Sequence, residues 1–88
     1  MKILTVCGMG SGSSLIMKMN VDSILEDEGI DAEVEAIDLG SVGGNKADLI
    51  VSTQELESKL EDYDTKKIFI NNIVDKEGLR TKLLEVLK

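Results

Sequence analysis

Short apolar runs alternate with longer stretches at helical spacing along the whole chain. Residues 2–6 form a compact run in which Ile3, Leu4 and Val6 suit a central, buried strand. Further on, Leu15, Met19, Val21, Ile24 and Leu25 recur at helical spacing, predicting one broad core-facing helix face. That helix starts at Ser13 or Ser14, either of which can cap it, and runs to about Glu28. Gly29 is placed to end it as a left-handed residue, with Ile30 packing back. Residues 32–37 alternate, Ala32, Val34 and Ala36 on one face and Glu33 and Glu35 on the other, as in a half-exposed edge strand. Residues 39–46, with Gly40, Gly43, Gly44 and Asn45, read as loop. Residues 47–52 predict a short buried strand around Leu49, Ile50 and Val51. Ser52-Thr53-Gln54-Glu55 has the spacing of a capping box, opening a helix to about Leu60. Residues 66–71 predict a fourth strand whose two leading lysines suit an edge. Asp75 can cap a last helix with an apolar stripe of Leu79, Leu83, Leu84, Val86 and Leu87.

Strands alternating with helices indicate an α/β fold. The expected architecture is a small, open, four-stranded parallel sheet in the order 2-1-3-4, with helices on both faces. It forms one domain over residues 1–88. The link from the second strand to the third has only about nine residues, short for a parallel crossover. Nine extended residues reach roughly 30 Å, so a loop or a single turn is expected there. In open α/β sheets ligands bind beyond the C-terminal strand ends, at the point where strand order reverses. The loop after the first strand lies at that point. Ser52-Thr53 and Asn71-Asn72 follow the third and fourth strands and share its rim.

Composition narrows the chemistry. A chain of 88 residues buries roughly 60–65% of its unfolded surface, enough for a modest core. There is one cysteine and no histidine. An internal disulfide is therefore excluded, and histidine bases, histidine nucleophiles and a zinc site within one chain are not expected. Tyr63 and Phe69 are the only aromatics, too few for a base-stacking platform. The net charge of −7 argues against a nucleic acid partner. No apolar run approaches the ~20 residues of a membrane span, and the apolar N-terminal stretch is too short for a signal peptide. A cytoplasmic protein is the expectation. The charge is segregated: residues 1–20 carry Lys2 and Lys18 and no acid, residues 21–64 balance at −12, and residues 65–88 at +3.

The acid-free segment holds the run Cys7-Gly8-Met9-Gly10-Ser11-Gly12-Ser13-Ser14. Small residues let backbone N–H groups converge on one anion, and a helix N-terminus favours negative charge. A thiol at the mouth of such a nest is held as thiolate and is expected to titrate below the reference value of about 8.5. The hydroxyls of Ser11, Ser13 and Ser14 can add donors, and Lys18 lies one turn into the helix, within reach of a bound anion. The dinucleotide pattern G-x-G-x-x-G read from Gly8 fails, because its third glycine is Ser13. The Walker A pattern fails for want of its lysine. The loop of low-molecular-weight tyrosine phosphatases is similar: a cysteine, five residues, an arginine, then serine or threonine. Here the five are Gly8 to Gly12, and Ser13 stands where the arginine would be. A guanidinium would stabilise charge on the transferring phosphoryl group, so self-contained hydrolysis is poorly equipped.

A cysteine loop without that arginine can still accept a phosphoryl group and hold it for a second acceptor. The chain resembles, over nearly its whole length, the cysteine-type IIB components of the bacterial sugar phosphotransferase system. Within that group the run 7–14, continuing into Ile16-Met17-Lys18-Met19 and Val21-Asp22, is most similar to the L-ascorbate-specific IIB proteins, with galactitol-type IIB proteins more distant. Met9 stands where the ascorbate group commonly has Asn. The resemblance implies a fold like that of low-molecular-weight tyrosine phosphatases and flavodoxin. It implies a phosphotransferase in which Cys7 takes a phosphoryl group from a phosphohistidine on a IIA protein and passes it to a sugar held by the membrane-embedded IIC permease. Residues Gly8, Met9, Gly10, Ser11, Gly12, Ser13 and Ser14 would bind the phosphoryl oxygens. No metal or organic cofactor is implied, and the protein would sit in the cytoplasm, peripheral to the inner face of the membrane through IIC. The alternatives are a hydrolase of the tyrosine-phosphatase type and a regulatory module that binds an anion without covalent chemistry.

Overall fold

The structure, a computed structural model, describes residues 1–7, 13–44, 46–71 and 75–87, with the backbone alone for Cys7, Ser13 and Ser14. The strands are β1 (Lys2–Cys7), β2 (Glu33–Asp38), β3 (Leu49–Thr53) and β4 (Lys66–Ile70). The α-helices are α1 (Ser13–Glu28), α2 (Glu57–Leu60) and α3 (Lys76–Leu87). Two 3-10 segments, Leu39–Gly44 and Gln54–Leu56, complete the described elements. All three strand pairings are parallel, and the order is β2-β1-β3-β4. Both expectations, the α/β class and the 2-1-3-4 order, hold.

Alternation along the strands splits the core in two. Ile3, Leu49, Val51, Ile68 and Ile70 face α1 and α3, where Met17, Val21, Ile24, Leu79 and Leu83 meet them. Leu4, Val6 and Ile50 face the other way, onto Val42, Leu56 and Leu60. The strands between the edges are thus covered on both sides, as parallel sheets require. Each large buried side chain contributes about 1.5–3 kcal/mol through removal from water. The short link from β2 to β3 is the 3-10 segment Leu39–Gly44, and its one buried residue, Val42, anchors it to the second core layer.

The end of α1 matches its expectation in detail. Gly29 has φ +67°, the Gly29 N–H donates to the Glu26 carbonyl at 3.2 Å, and the Ile30 N–H donates to the Leu25 carbonyl at 2.9 Å. That pair of bonds is a Schellman motif, and Ile30 packs on the first core layer. Asp75 caps α3 as expected, its Oδ1 accepting from the Gly78 N–H at 3.0 Å. Lys76 Nζ donates to Ser23 Oγ at 2.6 Å and Arg80 pairs with Glu28, so two cations tie α3 to α1. At the opposite end of β1, the Lys2 N–H donates to Asp48 Oδ2 at 2.8 Å and Lys2 Nζ pairs with Glu35 at 3.0 Å.

Two expectations are corrected. The capping box at residues 52–55 does not form. Ser52 is still in β3 and fully buried, and Thr53 precedes the 3-10 segment with no side-chain cap bond. Burial between the sheet layers wins over local capping. The core face of α1 also differs from the one predicted. Met17, Val21, Ile24 and Leu25 are buried, while Leu15 and Met19 are 54% and 64% exposed. At ~100° per residue, Leu15 and Met19 lie about 160–200° around the helix from Met17. Leu15, Ile16, Met17 and Met19 spread apolar positions widely around the first turns of α1, between Lys18 and Asn20, so spacing alone does not identify the side that meets the sheet.

Candidate functional site

Parallel strands bring all four C-terminal ends to one rim. Cys7 is the last residue of β1, in register with Asp38, the last residue of β2. Thr5 pairs with Val51, two residues before Cys7 on β1 and two before Thr53 on β3, and Thr53 pairs with Ile70 at the end of β4. Cys7, Asp38, Thr53 and Ile70 therefore mark one level of the sheet. Both long helices begin at this rim, because α1 and α3 follow the ends of β1 and β4. A central strand ending in Cys7, with α1 beginning six residues later at Ser13, is the arrangement in which helix-terminal N–H groups and dipole face an anion near the strand end.

Of the residues predicted to form the site, Cys7 is placed at the strand end, and Ser13 and Ser14 open α1. Gly8, Met9, Gly10, Ser11 and Gly12 lie outside the described residues, as does Asn72. Lys18 is not directed at the loop. Its Nζ bonds Asp22 Oδ2 at 2.8 Å, one turn further from the helix start. Asn71 follows β4 on the rim and is exposed. With Ile70, Asp75, Gly78, Leu79 and Lys82 it lines a cleft of about 240 Å³ beside the start of α3.

Two rim features escape a reading of the sequence. Ser52 Oγ donates to the Val6 carbonyl at 3.0 Å, entirely within the protein. That carbonyl belongs to the peptide that leads into Cys7, so β3 grips β1 immediately before the thiol. The second is Asp38, which is remote from Cys7 in sequence yet adjacent to it in the sheet. The stretch around Cys7 is acid-free along the chain but has one carboxylate in register beside it. A polar residue after a buried run on β3 was a visible signal for Ser52. Asp38 had none, since register is not written in either strand alone.

Acidic residues stand at both ends of the sheet. Glu26 and Asp27 end α1, Asp31 and Asp48 precede β2 and β3, and Asp62 and Asp64 precede β4. All lie at the end opposite Cys7. The Cys7 side has Asp38, Glu55, the capping Asp75, and Glu57 and Glu77 in the first turns of α2 and α3.

A family model described as the lactose/cellobiose-specific IIB subunit of the phosphotransferase system (PTS) matches residues 2–85. The chain belongs to the PTS IIB family. A protein of Mycoplasma pneumoniae named ascorbate-specific PTS system EIIB component is 33% identical over 88 residues, covering 97% of this chain and 93% of that one. Its namesake in Salmonella typhimurium is 34% identical over 90 residues, covering 99% and 89%. Among solved structures, the lactose-specific IIB component domain of Streptococcus pneumoniae superposes with a TM-score of 0.68 at 14% identity, covering 99% of this chain and 93% of that one. That likeness is one of fold, and it agrees with the parallel 2-1-3-4 sheet of this IIB chain. IIB components are phosphotransferases, and they work between a IIA and a IIC partner. Among the described residues, no helix of this one is long and apolar enough to cross a membrane.

Proposed function

We propose that this IIB protein carries a phosphoryl group on Cys7, from a phosphohistidine of its IIA partner to L-ascorbate held by its IIC partner. The observation that carries the reading is the position of Cys7: the last residue of a central strand, at the rim from which α1 starts. The sugar is taken from the relatives, which are named ascorbate-specific at about one-third identity over nearly the whole chain.

In the first step the Cys7 thiolate attacks phosphorus in line. The P–S bond forms as the P–N bond to the IIA histidine breaks, and the leaving imidazole takes up a proton. In the second step a sugar hydroxyl attacks the phosphocysteine. The P–O bond forms as the P–S bond breaks, the hydroxyl proton is lost and the thiolate returns. Backbone N–H groups of residues 8–14, with the hydroxyls of Ser11, Ser13 and Ser14, hold the equatorial oxygens through both steps, the kind of fixed donor array that favours developing charge. The site works in the cytoplasm, at the membrane face where IIC binds.

The test is intact mass after incubation with phosphoenolpyruvate, the general phosphotransferase proteins and a cognate ascorbate-type IIA. One added phosphoryl group that maps to Cys7 is the expected result, and Cys7→Ser should remain unmodified while keeping its fold. Absence of an adduct, with the donors active on a known IIB, refutes the carrier role. Delivery from phosphorylated protein to L-ascorbate, but not to lactose or galactitol, in IIC-containing vesicles tests the sugar.

A further inference from the structure

We infer that Asp38, level with Cys7 in the sheet, sets by its charge how readily Cys7 ionises and how readily a phosphoryl group leaves it. The inference rests on the carrier reading above and deepens it with a residue that regulates the same site. Asp38 takes no part in bond making, so its role is that of a positioning residue acting through Cys7.

Cys7 and Asp38 are Cα partners at the ends of β1 and β2. Alternation along the strands puts both positions on one face of the sheet. Val6 and Ile37, one residue before each, pack with the second core layer. Ile3 and Val34, paired lower in the same ladder, pack with the first, beneath α1. Cys7 and Asp38 share the parity of Ile3 and Val34, so both positions fall on the α1 side. Level positions on neighbouring strands are about 4.8 Å apart, inside the screening length of about 8 Å at physiological salt.

The other charges around this level leave Asp38 uncompensated. Among the described residues the ion pairs join Lys2 with Glu35, Lys18 with Asp22 and Arg80 with Glu28, and none takes Asp38. The segment that follows it, Leu39–Gly44, has no charged residue, and neither have residues 8–12. The one cation in the first two turns of α1, Lys18, is held by Asp22 at 2.8 Å. Glu33 and Glu35 alternate onto the opposite face of β2. Glu55 and Glu57 follow β3 beside Leu56 and Leu60, which pack in the second core layer. Asp75 and Glu77 follow β4, two strands from β1 and so about 10 Å away.

A like charge close to an ionising group disfavours its charged form. Two changes at Cys7 each add one negative unit: thiol to thiolate, and thiolate to phosphocysteine dianion. In the second, the P–S bond forms as the P–N bond of the IIA phosphohistidine breaks and the imidazole takes up a proton. Delivery reverses that gain of charge, as the P–O bond to the sugar forms and the P–S bond breaks. One unit charge at about 6 Å, with an effective dielectric constant of about 40–80 near water, moves such an equilibrium about three- to tenfold. Asp38 thus tempers the loop's hold on the thiolate and pushes the phosphoryl group onward.

Cys7 is the only cysteine, so iodoacetamide alkylation against pH titrates it alone. The variants are Asp38→Asn, Asp38→Glu and, from the opposite end of the sheet, Asp62→Asn. The expected alkylation midpoint of Asp38→Asn is about 0.5–1 pH unit below wild type, the logarithm of that three- to tenfold change. Asp38→Glu, which keeps the charge, and Asp62→Asn should superimpose on wild type. Salt at about 1 M, where the screening length is about 3 Å, should close most of the gap. Intact mass at equilibrium with phosphorylated IIA should show the ratio of phosphoprotein to free protein raised in Asp38→Asn by the same factor. A merely structural role would lower the thermal midpoint and would not give a salt-sensitive profile restored by glutamate. A midpoint for Asp38→Asn that coincides with wild type, or one lowered equally in Asp62→Asn, overturns the inference. A shifted midpoint with an unshifted phosphoryl equilibrium overturns it equally. If wild-type protein takes no phosphoryl group from active IIA, the carrier reading falls and the transfer half of the inference with it, while the alkylation profiles alone decide the coupling of Asp38 to the thiol.

Discussion

Ser52→Ala removes the hydroxyl through which β3 holds the peptide leading into Cys7. The side chain is fully buried and its Oγ lies 3.0 Å from the Val6 carbonyl. A buried hydrogen bond contributes about 1 kcal/mol net, and a desolvated acceptor left without its donor costs about 1–3 kcal/mol. The substitution changes little volume, so almost no cavity term is added. The expected loss is about 1–2 kcal/mol. For a domain of this size, that corresponds to a fall in Tm of about 4–16 °C, or about 1–2 M in urea midpoint at an m-value of about 1 kcal/mol/M. Thermal and urea unfolding followed by far-UV circular dichroism measures both, with exposed Ser58→Ala as a control expected to stay within about 0.5 kcal/mol. Native-state hydrogen exchange adds a local test, since the Cys7 amide shares the released peptide and should exchange faster relative to its neighbours. If Ser52→Ala unfolds within 0.5 kcal/mol of wild type, the bond does not anchor the strand end and the positional argument fails.

Further outcomes follow from other parts of the fold. Gly29→Ala places a Cβ at φ +67°, which should cost about 1–2 kcal/mol, read as a lowered urea midpoint with an unchanged slope. The hydrogen bond from Lys2 to Glu35 holds the ammonium above the ordinary lysine range. Because the folded form then keeps its proton more tightly, the stabilisation is complete at neutral pH and disappears as pH rises through the folded value. Stability profiles of wild type and Glu35→Gln should therefore stay separated across neutral pH and converge only above about pH 10.4. Profiles that converge already at pH 8 would contradict the pairing.

What the chain discloses, it discloses through residues with one physical solution. Gly29 followed by Ile30 ends a helix in only one economical way, and the structure adopts it. The apolar runs at Ile3-Leu4 and Leu49-Ile50-Val51 suit strands shielded on both sides, and their alternation with helical stretches points to the parallel sheet that forms. The position of Cys7 at the rim was legible for the same reason. Where a residue had two comparable outlets, tertiary packing decided. Ser52 could cap a helix or bond a neighbouring strand, and burial gave it to Val6. Leu15 and Met19 could join the core or leave it, and a helix with apolar residues spread widely around its first turns does not announce which. The neighbourhood of Cys7 and Asp38 depends on pairing between strands, which no single segment encodes.

If Cys7 carries the phosphoryl group as proposed, the position of β1 bears on how the two forms are told apart. Ile3, Leu4, Thr5 and Val6 are wholly enclosed, with β2 on one side and β3 on the other. A dianion gained or lost at the end of such a strand alters the rim and leaves the enclosed amides as they were. Under the proposed role, the charged and uncharged forms share the enclosed stretch of β1 as a common scaffold. On that reading, partners sense the covalent state by direct contact at the rim where β1 ends.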